Sequence, residues 1–273
     1  MKQKLVSSLL IILGAVFIAV MLIVPLCTVL AYALRQGWET FASAIRDPYA
    51  IKALRLTLLA AVVTVALNTV FGVFSSWAIS KFRFKGRQFL TTLIDIPFAI
   101  SPVIAGLVFV LVFGRIGWAY SFLQAHHLKV VFAVPGIILA TIFVTLPFVS
   151  RELIPLMQAQ GNEEEEAAAL MGAGGFKIYR KITLPHIKWG LLYGIILCTA
   201  RAMGEFGAVS VVSGHLRGKT NTLPLHIEIL FNEFHLTAAF AVSSILVVIA
   251  IMILILRNIV EYKGKKAGSE DVR

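Results

Sequence analysis

The sequence predicts an all-α integral membrane protein with six transmembrane helices. Of its 273 residues, 59% are hydrophobic, which is more apolar surface than a water-soluble core of this size can bury. Only 14% are charged, against roughly 25% in an average soluble domain. The apolar residues also fall into six long runs, each sufficient to cross the roughly 30 Å hydrocarbon layer as a helix. Together these observations exclude a soluble globular protein.

The six runs are interpreted as helices, because an open strand in lipid leaves its backbone groups without hydrogen-bond partners. The alternating pattern of a membrane barrel is also missing. The first run follows Lys2 and Lys4, as in a signal peptide, but it is too long for a signal-peptide core and is predicted to remain as a span. The runs cover residues 5–34, 54–80, 89–113, 130–149, 187–213 and 236–256.

The positive charges predict the orientation of the chain in the membrane. The net charge is +11, but the lysines and arginines lie in short clusters between the apolar runs. That placement is typical of a protein surrounded by lipid and argues against a nucleic-acid partner. With the N-terminus inside, the inner segments hold about twice as many lysines and arginines as the outer ones, so both termini are predicted to be cytoplasmic. Cys27 and Cys198 lie inside apolar runs, which excludes a disulfide framework.

The longest polar interruption separates the fourth and fifth runs and is cytoplasmic in this topology. Four glutamates from Glu163 occupy the first turn of a predicted helix, where the helix dipole favours anions, and Asn162 is a suitable N-cap. Gly172 stops this helix and allows a sharp turn. A second amphipathic stretch follows and is predicted to end at Leu184-Pro185, just before the fifth span. The segment is therefore expected to form a short helix–turn–helix on the inner face of the membrane.

This segment resembles the EAA loop in membrane subunits of binding-protein-dependent ABC importers with the type I permease fold. The pattern is Glu-Ala-Ala, three residues, Gly, nine residues, and Ile-x-Leu-Pro, and every position is filled. The resemblance implies that the loop's short helix docks on a cytoplasmic ATPase dimer, which binds ATP and Mg itself. It thus implies a transport subunit that is not an enzyme and carries no cofactor. The implied coupling residues are Glu163, Glu166, Ala167, Ala168, Gly172, Ile182, Leu184 and Pro185.

The same resemblance implies a domain organisation and a location. Residues 1–53 would form the first transmembrane helix and an outer loop, residues 54–258 the permease domain, and residues 259–273 a cytoplasmic tail. The expected location is the bacterial cytoplasmic (inner) membrane, which the chain crosses several times.

A second resemblance concerns the substrate. Residues 200–208 and 222–225 are similar to the molybdate/tungstate/sulfate branch of these permeases, and residues 213–233 are most similar to W-type subunits of sulfate/thiosulfate permeases. This likeness implies translocation of sulfate or thiosulfate, delivered by an external binding protein, with molybdate or tungstate as the alternative. It also implies a heterodimer with a second permease subunit, whereas molybdate relatives form homodimers.

Charged residues inside the fifth run form a second candidate site. Arg201 and Glu205 are spaced i, i+4, and an unpaired charge at the centre of a membrane costs about 2.5–3.5 kcal/mol on insertion scales, so they are expected to pair. The pair either helps to line an anion path or holds two helices together. Gly204 and Gly207 beside it predict a close helix approach or a flexible gate.

Other motifs carry weaker signals. Residues 213–220 nearly match a phosphate-binding loop, but Ser213 replaces its first glycine and the topology places it outside. Asp95 is interpreted as structural. The pair His126-His127 lacks further ligands for a metal, and no nucleophile–base constellation indicates an intramembrane enzyme. A secondary transporter or channel is the remaining rival, and it would need no EAA loop.

Overall fold

A computed structural model describes residues 2–270, with side chains described for residues 6–264. Regular structure within residues 2–270 is helical throughout. The helices are α1 (Lys2–Ile18), α2 (Val24–Leu34), α3 (Trp38–Arg46), α4 (Pro48–Lys81), α5 (Arg87–Ala99), α6 (Pro102–Phe113), α7 (Tyr120–Ala125), α8 (Val134–Thr145), α9 (Pro147–Gln160), α10 (Glu163–Leu170), α11 (Gly175–Ile178), α12 (Leu184–Met203), α13 (Gly207–Ser213), α14 (Leu223–Asn232) and α15 (Leu236–Glu270).

The predicted spans are recovered with corrected bounds. Five continuous segments of the described chain are long and apolar enough to cross a membrane, and the bent pair α5–α6 supplies a sixth if it counts as one span. The prediction of an all-α membrane protein is therefore confirmed, with five to six spans. The five segments are Val6–Leu34, Pro48–Lys81, Val134–Gln160, Gly175–Met203 and Leu236–Gly264.

The third apolar run is not one straight helix. Its two halves, α5 and α6, meet at 106°. Ile100 and Ser101 between them have extended backbone angles, with ψ of 133° and 135°. Pro102 explains part of this break, because the residue before a proline is driven out of the helical region. Hydropathy alone predicted a continuous span, since the residues on both sides of the break are apolar.

The span predicted from the fifth run has the wrong bounds at both ends. Its helix stops at Met203, and the separate helix α13 begins at Gly207 after a short turn. At the inner end, Leu184-Pro185 does not end a helix. A π-helical turn over Tyr179–Thr183 joins α11 to α12, and Pro185 lies in the first turn of α12. Because helical backbone angles continue through Thr183 and Leu184, Pro185 lies inside one continuous helix, directly after the π-helical turn.

The core lies where α4, α9 and α12 pack together. Val149, Leu153 and Ile187 are completely buried there. Gly72 permits the close contact of α4 with α9, since a β-carbon at Gly72 would lie 2.6 Å from the side chain of Val149. By contrast, a highly apolar 18-residue stretch of the first span has no residue that is buried within this chain. That helix is arranged along the edge of the bundle, where α2 contacts α15.

Candidate functional site: the coupling loop and the paired helix breaks

The loop that is predicted to contact the ATPase begins at α10. Its first turn carries Glu163 and the three glutamates that follow, as predicted. Asn162 occupies the N-cap position, but its side chain makes no capping hydrogen bond; instead its carbonyl accepts the backbone N–H of Glu166 at 2.9 Å. The acidic first turn therefore stabilises α10 mainly through the helix dipole.

Gly172 ends α10 in the way its spacing predicted. Its φ is +82°, a left-handed conformation that favours glycine. The N–H of Gly172 donates to Ala169 O at 2.9 Å, and the N–H of Ala173 donates to Ala168 O at 3.0 Å. These two bonds form a Schellman motif, which satisfies carbonyls at the helix end. A β-carbon on Gly172 would meet no atom within 4 Å, so this turn faces open space.

Apolar side chains surround this turn and point away from the protein. Leu170, Met171 and Phe176 are between 78% and 89% exposed. We call these three residues the apolar tip. None of the three was predicted as a site residue. A signal was available, because two large apolar residues directly before a helix-stopping glycine have no place in a solvated acidic helix.

The predicted coupling residues divide between surface and interior. Glu166 and Ala167 are exposed on α10, whereas Ala168 is buried. Ile182 and Ala168 line a pocket of about 350 Å³ between the two arms of the loop. Leu184 is partly buried against the core cluster that contains Ile187. The structure thus brings the motif together as one unit with a buried side and an exposed side.

Arg201 and Glu205 form the expected ion pair, with Arg201 Nη1 2.6 Å from Glu205 Oε2. The carboxylate is 2% exposed, and about a third of the arginine side chain is accessible. The pair does not lie in one continuous helix, because α12 ends at Met203. Glu205 Oε1 also accepts the N–H of Ala208 at 2.8 Å in the first turn of α13. Glu205 therefore connects the end of one helix to the start of the next.

The break after Met203 lies against the break in the third run. A β-carbon at Gly207 would approach Pro102 Cβ at 3.0 Å, and one at Gly106 would lie 2.6 Å from Ala208 O. Hence α6 and α13 pack almost backbone to backbone. Gly204 is less confined, since a β-carbon there would meet only Ala200 O at 3.8 Å. The close helix approach predicted for Gly207 is observed.

Residues 68–263 match the family described as the inner membrane component of binding-protein-dependent transport systems. The chain belongs to this family. It is therefore a membrane subunit of a transport system and not an enzyme, as the EAA loop predicted.

Several relatives within the family are sulfate transport system permease proteins. The CysW protein of Escherichia coli is 45% identical over 95% of this chain and 90% of its own length. CysW of Synechocystis is 44% identical over 94% of both chains. CysT of Salmonella typhimurium is 34% identical over 87% of this chain and 86% of its own. Both types of sulfate permease subunit thus resemble this sequence.

A solved structure supports the same fold for this chain. The crystal structure of a bacterial alginate ABC transporter, in complex with a periplasmic protein bound to an alginate pentasaccharide, has a similar chain. The TM-score is 0.80 with 16% identity, over 97% of this chain and 96% of the other. The predicted permease fold is confirmed.

The other residues singled out in the sequence either bind structural partners or lack the neighbouring side chains that a metal site needs. Asp95 Oδ1 accepts a hydrogen bond from Arg151 Nε at 2.8 Å. The turn that resembled a phosphate-binding loop closes on itself, because Thr220 Oγ1 donates to Ser213 O at 2.7 Å. Across the described residues, no three His, Cys, Asp or Glu side chains are grouped so that they could hold a metal.

Titratable groups cluster on the segment between α13 and α15. Arg217 donates to Glu233, and this hydrogen bond holds the pKa of the Glu233 carboxyl below its usual value. His226 is buried on α14 with its Nε2 3.8 Å from Asp47 Oδ2. Burial lowers the pKa of the His226 imidazole, and the nearby Asp47 carboxylate only partly opposes this shift.

Proposed function

We propose that this chain is a permease subunit of an ATP-driven importer that translocates sulfate across the bacterial inner membrane. The observation that carries the proposal is the apolar tip at the turn of the EAA loop. Three large apolar side chains that point away from their own protein mark a surface for a partner. In the proposed complex that partner is a cytoplasmic ATPase dimer, which binds ATP and Mg.

The substrate assignment is supported by the sulfate permeases among the relatives. Under this proposal an external binding protein delivers sulfate or thiosulfate, and a second permease subunit completes the pore. The similarity to both CysW and CysT favours a heterodimer of two related chains over the homodimer expected for molybdate import. Arg201 lies at a break between helices with part of its side chain accessible, where a cation can meet an anion on its path.

Orientation follows from the same proposal. Both termini and the coupling loop lie in the cytoplasm, and the segment between α13 and α15 faces outward. Cys27 is exposed and Cys198 is buried, so Cys27→Ser removes the accessible native thiol. Single cysteines are then introduced at Glu163 and at His127, both of which are exposed, and intact cells are treated with an impermeant thiol reagent. We expect labelling at residue 127 alone, and labelling at residue 163 alone would invert the topology.

The function is tested by reconstituting this chain with the second permease, the ATPase and the binding protein in vesicles. We expect uptake of radiolabelled sulfate that requires both ATP and the binding protein, with thiosulfate as a competitor. Uptake of molybdate in place of sulfate would support the alternative substrate. Uptake of sulfate without any ATPase would instead indicate a secondary transporter or channel.

The apolar tip provides a direct test of the ATPase contact. Leu170→Glu places a charge on the most exposed tip residue, so it should abolish co-purification of the ATPase without disturbing the fold. The matched control is Ile116→Glu, which is equally exposed but belongs to the segment after α6. If Leu170→Glu retains the ATPase as well as Ile116→Glu does, the tip is not the docking surface.

A further inference from the structure

Lys81 is buried at the end of α4, with only 4% of its side chain exposed. A buried ammonium group is costly unless a partner compensates its charge. Its partner is Glu165 on α10, whose Oε1 lies 3.1 Å from Lys81 Nζ. Lys81 Nζ also donates to the carbonyl of Gly161 at 2.5 Å. The C-terminal end of α4 is therefore attached to the start of the coupling loop.

The same carboxylate oxygen also contacts the second arm of the loop. Thr183 Oγ1 donates to Glu165 Oε1 at 2.6 Å, and Thr183 is fully buried in the π-helical turn before α12. One oxygen atom thus joins three elements: α4, α10 and the helix that continues as α12. We call Lys81, Glu165 and Thr183 the inner node.

Aromatic side chains lie beside the inner node. The ring of Trp77 lies edge-on to Phe82 at 5.1 Å and to Tyr179 at 5.9 Å between centroids. Trp77 lies on α4, Phe82 directly follows α4, and Tyr179 begins the π-helical turn before α12. The three rings line the same cavity as the inner node, and a charged pair shielded from water is screened less than one on the surface.

Glu165 differs from its neighbours on α10. Glu164 is 62% exposed, and its Oε2 lies 3.5 Å from His186 Nε2. An exposed pair of this kind contributes little to stability. Glu163 and Glu166 are also exposed. Glu165 is the glutamate of this first turn that is directed inward, and it lies outside the EAA pattern itself.

Glycines flank α10 on both sides, so its orientation depends on side-chain contacts. Gly161 has a φ of +71° and Gly172 a φ of +82°, and a β-carbon at either would meet no atom within 4 Å. A short helix between two such positions can rotate unless another contact fixes it. The inner node supplies a buried polar contact of this kind.

We propose that Lys81, Glu165 and Thr183 are positioning residues that transmit movement of α10 to α4 and α12. This inference rests on the proposed coupling of the loop to an ATPase. When the ATPase displaces the apolar tip, the inner node makes α10 move together with both membrane helices. Without the node, α10 rotates between its flanking glycines, and ATP hydrolysis continues without moving the pore.

The test uses the complete reconstituted complex and measures sulfate taken up per ATP hydrolysed. Lys81→Met removes the ammonium group, and Thr183→Val removes the hydroxyl with little change in shape. Each should lower the ratio of sulfate to ATP by roughly three- to thirtyfold, the range expected for residues that mediate coupling. Co-purification of the ATPase should stay unchanged because the apolar tip is intact. Glu164→Gln, on the same turn, is the matched control and should leave the ratio unchanged.

A double-mutant cycle separates a shared contact from general damage. If Lys81 and Glu165 act through one contact, Lys81→Met combined with Glu165→Gln should lower the ratio no further than the more severe single variant. Additive losses, or loss of the ATPase from the complex, would overturn the node as a positioning device. An unchanged ratio of sulfate to ATP in Lys81→Met would also overturn it. If the wild-type complex itself fails to couple ATP hydrolysis to sulfate uptake, the result contradicts the proposed function instead.

Discussion

Gly106 and Gly172 show that glycine has different roles in the packed α6–α13 pair and in the coupling loop. Gly106 is buried between α6 and α13, where a β-carbon would lie 2.6 Å from Ala208 O. Gly172 stands at an exposed turn where a β-carbon would meet nothing, but its backbone requires a positive φ. The first glycine is needed for packing inside the chain. The second is needed for the shape of a surface that other molecules meet.

This difference predicts two separate kinds of defect. Substitutions in the packed α6–α13 pair should lower the amount and stability of the folded protein. Substitutions in the coupling loop should leave the fold intact and reduce transport.

The largest effect is expected for Gly106→Val. The added side chain must displace the backbone of α13, and overpacking of this kind costs about 1–3 kcal/mol or more. We expect a large loss of protein extracted from membranes and a lower melting temperature in detergent. Gly14→Val is the control, because a β-carbon at Gly14 meets no atom within 4 Å. Equal yields for both variants would show that α6 and α13 are not closely packed.

A large effect on transport alone is expected for Gly172→Val. A β-branched residue strongly disfavours a φ of +82°, so the turn must change shape and move the apolar tip. We expect sulfate uptake by the complex to fall about tenfold or more, with unchanged protein yield. Gly174→Val is a close control, since Gly174 has a φ of −69° and equally open surroundings. Similar uptake by the two variants would argue against the turn as a docking element.

A moderate effect is expected for Glu205→Ala. The substitution removes the partner of Arg201 and the acceptor for the N–H of Ala208, which together should cost about 2 kcal/mol. Glu205→Gln keeps an oxygen acceptor for Ala208 and should lose less. Thermal unfolding of the purified protein checks this order. Equal losses in the two variants would show that the charge, which both variants remove, and not the cap of α13, controls stability.

The smallest effect is expected for the change of protein stability with pH. Burial depresses the pKa of His226, so the unfolded chain binds a proton more readily than the folded one. Stability should therefore be complete above the ordinary pKa of 6.5 and should decline as the pH falls from there towards the lower pKa of the folded state. His226→Gln cannot titrate, and its melting temperature should depend less on pH in this range. An equal decline in both proteins would assign the effect to other groups.

The coupling loop was the part of the site that sequence predicted best. Its features are local: an acidic first turn, a positive-φ glycine and a fixed spacing to Pro185. The Schellman turn at Gly172 needs only residues within five positions along the chain. What local reasoning missed was the continuation of the helix through Pro185, because a π-helical turn leaves no clear signature in composition.

The helix breaks were missed for a different reason. Hydropathy averaged over the length of a span records how apolar a segment is, and it does not register a change of helix direction at Ser101 or at Gly204. The direction of a helix is set by backbone geometry, and Pro102 after Ser101 was the available signal for the first break. The inner node could not be predicted, because Lys81 and Thr183 are far apart in sequence and meet only after the bundle has formed.

The continuous helix from Gly175 to Met203 has a mechanical consequence. Its 29 residues correspond to about 43 Å at 1.5 Å per residue. One end leaves the coupling loop, and the other end reaches Gly204 and the Arg201–Glu205 pair. A displacement at the coupling loop therefore acts on the same helix that carries Arg201. Tilting this helix by about 5° about its inner end would shift its far end, beside Gly204, by about 4 Å.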